Sequence, residues 1–101
     1  MKVFDLIDKE GRLYAFEVWN FGFGRGKVVR VIKTIPGVKI TRNPLRFFSW
    51  FREEEFCEFS LGTQHFVAWE PFGDNSRYWI GPKSPAPCIE LTTVRDAFAA
   101  W

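Results

Sequence analysis

Three short patterns in this chain gather residue types that do chemistry. The first is "NFGFGRGKVVRVI", Asn20 to Ile32, where three glycines and two cations precede a helical period. A phosphate loop of the form GxxxxGK[ST] needs backbone amides around the phosphate and a hydroxyl reaching magnesium. Here Gly22, Gly24, Gly26 and Lys27 come one residue short, and Val28 stands where the hydroxyl belongs. The dinucleotide pattern GxGxxG fails as well, because its third glycine arrives too early. What remains is electrostatic. A helix amino terminus favours acids, yet this one begins with Arg25 and Lys27. An anionic group from a partner would be at home there, although a helix tolerates two cations at a cost of a few tenths of a kcal/mol.

The second pattern is the acid-free run from residue 21 to residue 52. It holds Arg25, Lys27, Arg30, Lys33, Lys39, Arg42, Arg46 and Arg52, with Phe47, Phe48, Trp50 and Phe51 interleaved. Cations track phosphates and aromatic rings stack on unpaired bases, so single-stranded nucleic acid is one expectation for this segment. Three observations oppose it. Net charge is only +2, the glutamates 53–55 and 58 follow directly, and no RNP-type motif is present. A solvated helix face explains the same residues without a ligand.

The third pattern is the loop "EPFGDNSRYW". Glu70, Asp74, Asn75, Ser76 and Arg77 would form a polar site if they converged, and His65 lies just before it. On a strand, however, His65 shares its side with Val67 and Trp69 while Glu70 points the other way. Gly-Asp-Asn-Ser is also ordinary turn chemistry. No second member completes a Cys–His dyad, a carboxylate pair or a metal cluster, so neither a catalytic residue, a metal ligand nor a cofactor is assigned.

Elements must place these groups. "KVFDLID" and "RLYAFEVWN" flank "KEG", which reads as a hairpin closed by Gly11. Both faces of the second strand are largely apolar, which predicts an interior position in the sheet. Val28, Val31, Ile32 and Ile35 form one helical stripe opposite Lys27, Arg30 and Lys33, and "IPG" ends that helix. "GVKIT" reads as a strand. "NPLRFFSWF" fits either a short helix capped by Asn43 or an irregular strand. "EFCEFSL", "QHFVAWE" and "RYWIG" read as a meander, its first turn made by "GT". Leu91, Val94, Phe98 and Trp101 recur at helical spacing; Thr93 with Asp96 resembles a capping box that would start the helix, and Trp101 would dock on the sheet. The order ββαβ(α)βββα predicts one α+β domain over residues 1–101, a mostly antiparallel sheet of five or six strands with two main helices.

The amino terminus carries an acid at Asp5 and no long apolar run, which predicts neither export nor anchoring. Cys57 and Cys88 lie in no metal-type spacing, and in a reducing cytoplasm both would be thiols. The 19 aromatics among 101 residues exceed what so small a core readily holds, since each buries roughly 150–250 Å². The surplus predicts a contact surface. Together these readings point to a small bacterial-type, cytoplasmic, non-catalytic domain that binds a macromolecule, in the first place another protein or a second copy of itself. Nucleic acid through residues 25–52 is the alternative; a small enzyme around His65 and the 70–77 loop is the third. No membrane partner is expected.

Overall fold

A computed structural model describes residues 1–19, 24–42, 55–70, 77–84 and 86–101. Six strands and two helices follow one another: β1 (Val3–Ile7), β2 (Leu13–Trp19), α1 (Gly24–Lys33), β3 (Lys39–Arg42), β4 (Glu55–Leu61), β5 (Gln64–Trp69), β6 (Arg77–Pro82) and α2 (Ile89–Ala99). The strands form one sheet in the order β1-β2-β6-β5-β4-β3, with every neighbouring pair antiparallel. This is the α+β architecture that the alternating strands and two amphipathic stripes predict. β2 is interior, between β1 and β6.

The β1–β2 turn is built by Asp8 and Gly11. Gly11 adopts φ 79°, where a Cβ would clash with its own backbone. The Asp8 Oδ1 accepts hydrogen bonds from the amides of Glu10 and Arg12, both at 2.9 Å. Asp8→Ala removes both acceptors and is expected to lower stability by about 1 kcal/mol, read as a shift of the urea midpoint at unchanged m-value. Between β4 and β5, Leu61 pairs with Gln64 across a two-residue turn. Gly62 takes the positive φ there, at 63°, which suits a II′ hairpin turn.

Strand alternation separates two sheet faces. Phe16 pairs with Ile80, Val18 with Tyr78, Ala68 with Ile80 and Phe59 with Phe66, so these side chains share one side. Val28, Val29, Val31 and Ile32 of α1 and Leu91, Val94 and Phe98 of α2 join them in a single buried cluster. Both helices therefore cover the same face. Among the described residues no polar or charged side chain is buried, and each apolar side chain fully buried there contributes roughly 1.5–3 kcal/mol.

Helix ends differ from the sequence expectation in two places. α1 begins at Gly24, so Gly24 and Gly26 are helical residues of its first turn; no acid lies in that turn. It ends where Thr34 Oγ1 donates to the Val31 carbonyl at 2.6 Å, just before Pro36. α2 begins at Ile89, after Cys88 in extended conformation. Thr93 and Asp96 therefore lie inside the helix, where the amides are already bonded to preceding carbonyls and no capping box can form. Glu90 is the acid of the first turn instead, the sign the helix dipole favours.

Trp101 is corrected too. It does not dock on the sheet: it is 43% exposed, and its ring lies under the Lys27 ammonium of α1, 4.6 Å from the centroid. Cys57 is buried and Cys88 half-buried, with no disulfide between them. No helix among the described residues is long and apolar enough to cross a membrane. The alternative readings of residues 44–52, the glycine stretch at 20–23 and the turn at 71–76 lie outside the described residues.

Candidate functional site

Among the described residues, the other side of the sheet carries four aromatics that are not part of the buried core, Phe4, Trp19, Trp69 and Trp79. Cross-strand partners identify its members row by row. Phe4 pairs with Glu17, Glu17 with Trp79, and Trp79 with Trp69. One step along, Trp19 pairs with Arg77; one step the other way, Val67 stands between Gly81 and Glu58. None of these side chains belongs to the cluster beneath the helices. Among the described residues neither helix covers them, and we call this the open face.

Its geometry is specific. Phe4 and Trp19 stack with centroids 6.2 Å apart and planes 28° from parallel. The Arg77 guanidinium lies 3.6 Å over the Phe4 ring, with the Lys2 ammonium at 5.4 Å. Arg77 also bonds the Glu17 carboxylate at 3.2 Å. Two β-strands thus hold one planar cation between an aromatic face and an acid, a geometry that suits guanidinium better than ammonium. Trp69 and Trp79 meet edge to face, 6.1 Å apart.

Trp79 is held low over the sheet by what lies beside it. A Cβ on Gly81 would sit 2.8 Å from the indole Cη2 and 2.8 Å from the Cβ of Ala15. Gly81 is therefore required for close approach, not for a positive φ. Ala15 and Val67 are buried on this side, whereas Trp69 and Trp79 are half-buried and Trp19 is 49% exposed. The result is an aromatic surface with small residues in its floor.

The candidates read from the sequence are distributed differently. Arg30 and Lys33 project exposed from α1, on the helix side of the molecule, and Lys27 is half-buried against Trp101. Arg25 and Arg42 belong to the backbones of α1 and β3. Arg46, Trp50, Asp74 and Asn75 lie outside the described residues. Arg77 stands on the open face at the start of β6, and Glu70 follows the end of β5. His65 is at the far end of the β5–β6 pair, beside Lys83, whose amide donates to the His65 carbonyl at 2.8 Å. The structure thus does not bring His65 and Arg77 together.

Cys88 is half-buried ahead of α2. Burial pushes its thiol above the ordinary range, against hydrogen bonding at Leu91, with the Glu90 charge adding to the rise; the reactive form is the thiolate. Among the described residues no group of three or more His, Cys, Asp or Glu is placed to hold a metal ion.

Phe4, Trp19, Trp69 and Trp79 are aromatic residues of the open face that sequence reading did not single out as site candidates. Their signal is parity: each stands on the side of its strand opposite the core residues. Fold and open face together define a two-layer α+β domain, with helices on one side of the sheet and an aromatic surface on the other. Compared with known proteins, the chain matches no family model, no curated protein and no solved structure.

Proposed function

We propose that this chain is a non-catalytic protein-binding domain and that the open face of its sheet is the contact surface. The observation that carries this reading is the gathering of Phe4, Trp19, Trp69 and Trp79 around Arg77 on the side away from the helices. Trp, Phe and Arg are the types enriched where protein interfaces are driest, and a few such anchors carry most of the binding energy. The charges support a protein over a polyphosphate. Arg77 is matched by Glu17, and Lys83, at the far end of the face, by Glu58, so these two cations offer little net attraction to a nucleic-acid backbone. Arg30 and Lys33 lie on the other side of the molecule and do not add to it. Binding takes place in a reducing, cytoplasmic compartment on this reading, with both cysteines as thiols.

Three immobilised forms test it by affinity capture from cell extract: the wild type, Trp19→Ala/Trp79→Ala, and Arg30→Gln/Lys33→Gln. The wild type and the helix-face variant are expected to retain the same partner, and the aromatic variant to lose it by tenfold or more, since interface anchors are worth about 2 kcal/mol each. Circular dichroism verifies that each variant is folded. Capture lost in the helix-face variant but kept in the aromatic one would overturn the assignment. Binding of a labelled single strand that weakens steeply with salt would replace it with the nucleic-acid reading. Sedimentation of the wild type and the aromatic variant shows whether the partner is a second copy.

A further inference from the structure

Among the described residues the sheet ends at β1 on one side and at β3 on the other. Each edge offers a row of backbone N–H and C=O groups to a further strand. The two edges are not equally guarded. β3 has four residues, shifts register between Ile40 and Arg42, and carries a cation at each end, Lys39 and Arg42. Charges on an edge strand oppose its pairing with another chain. β1 reads Val-Phe-Asp-Leu-Ile, four apolar residues around one acid, and Ile7 at its end is 51% exposed.

The acid is the one charge within β1 that could guard the edge, and it is already engaged. Asp5 pairs with Phe16, so it lies on the helix-covered side of the sheet. There Arg95 of α2 donates to both carboxylate oxygens, from Nε at 3.0 Å and from Nη2 at 3.2 Å. Such a two-pronged contact holds guanidinium and carboxylate in one plane. The remaining Arg95 contact goes to its exposed neighbour Asp96. A partner strand laid along β1 would therefore meet no unpaired charge inside the strand.

We propose that β1 pairs with β1 of a second copy, antiparallel about a two-fold axis at Asp5, so that two sheets join edge to edge. That register is selected by the residues it brings together. Phe4 comes opposite Leu6 of the second copy; within the chain these two pair with Glu17 and Ala15, so both stand on the open-face side. Lys2 comes opposite Asp8, a favourable pair of charges, although Asp8 also faces Arg12 at 3.6 Å. Ile7 comes opposite Val3. The two Asp5 carboxylates approach each other, each with its own Arg95 in place. Moving the axis to Phe4 would set Lys2 against Leu6 and Asp5 against Val3, and a shift of one residue would turn the apolar side chains to the wrong face. The pairing goes beyond the open-face reading and does not depend on it.

The irregularity between Leu6 and Ile7 keeps the shared ladder short. Interfaces this small are weak, so sedimentation equilibrium of the full chain is run from about 10 µM to about 1 mM. The mass is expected to rise from one chain towards two. Hydrogen exchange of the β1 amides should slow over the same range, while that of the β3 amides stays constant. Each contact occurs twice across the axis, so Ile7→Lys and Lys2→Glu should each raise the dissociation constant by about tenfold. Lys39→Glu, on the other edge, should leave it unchanged. All three positions are exposed, and circular dichroism verifies that the variants are folded. A mass of one chain at every concentration would overturn the proposal. So would a dimer that survives both β1 variants, or one that forms without slower exchange in β1. Association lost in Trp19→Ala/Trp79→Ala but kept in the β1 variants would move the contact to the open face and overturn it as well. A monomer throughout leaves the capture test of the aromatic surface unaffected.

Discussion

Phe98→Ala is expected to remove about 3–5 kcal/mol of stability, enough to leave the chain barely folded. Phe98 is fully buried in α2, and its ring lies 5.4 Å from Phe16 at 59°. Truncation loses the transfer free energy of the ring and also opens a cavity that neighbours only partly fill. Neighbours here are held from both sides: Phe16 belongs to an interior strand, and Leu91 and Val94 fix α2 along the same stripe. Collapse into the void is therefore limited, which places the cost in the upper part of the range. Domains of this size have only about 5–15 kcal/mol in total. Urea unfolding followed by far-ultraviolet circular dichroism measures the loss. Thr92→Ala, at an exposed position of the same helix, should change stability by less than about 0.5 kcal/mol. A Phe98→Ala loss below about 1 kcal/mol would mean that α2 is not held by this contact.

Gly81→Ala is the second large effect, and its sign is opposite to the usual one. Alanine in place of glycine ordinarily stabilises a strand, because glycine loses more backbone freedom on folding. At position 81 the new methyl would meet the Trp79 indole and the Ala15 methyl, each at 2.8 Å. β6 is paired on both sides, to β2 and to β5, so the backbone cannot move away without breaking a ladder. The indole has to swing out and the β2 backbone at Ala15 has to give way, at an overpacking cost of about 1–3 kcal/mol. Near-ultraviolet circular dichroism should lose the signal of the Trp69–Trp79 pair, and capture of a partner should weaken with it. Combining Gly81→Ala with Trp79→Leu relieves the indole part of the clash and leaves the Ala15 contact, so the double variant should be more stable than the sum of the single effects yet less stable than Trp79→Leu alone. A Gly81→Ala protein as stable as the wild type, with unchanged aromatic ellipticity, would show that the indole does not need the space.

The two effects separate what the chain is from what it presents. Phe98 acts through the helix-covered side, where loss of packing unfolds the protein. Gly81 acts through the open face, where a displaced ring alters the surface while the sheet persists. A binding defect that accompanies Gly81→Ala at temperatures where the variant remains folded is a surface effect.

Local patterns determined most of the architecture. The period-2 strands, the stripes Val28-Val31-Ile32-Ile35 and Leu91-Val94-Phe98, and the turns at Gly11 and Gly62 were all legible, because each rests on contacts a few residues apart in the chain. The helix ends were less so. Thr93 and Asp96 satisfy a capping pattern that they do not use, since the helix start is set by the extended residue Cys88 after the prolines. Trp101 continues the buried stripe by spacing, yet it lies beyond the last turn and meets Lys27 instead. The make-up of the open face was the least legible part. Sequence pointed to the basic run from Arg25, because clustering along the chain is visible there, but α1 carries Arg30 and Lys33 away from the open face. Phe4, Trp19, Trp69, Arg77 and Trp79 come from four separate strands, and only the order β1-β2-β6-β5 and its register set them side by side. Residue types and their parity along each strand are properties of the sequence; which strands become neighbours is decided by burying all the apolar stripes together against two helices.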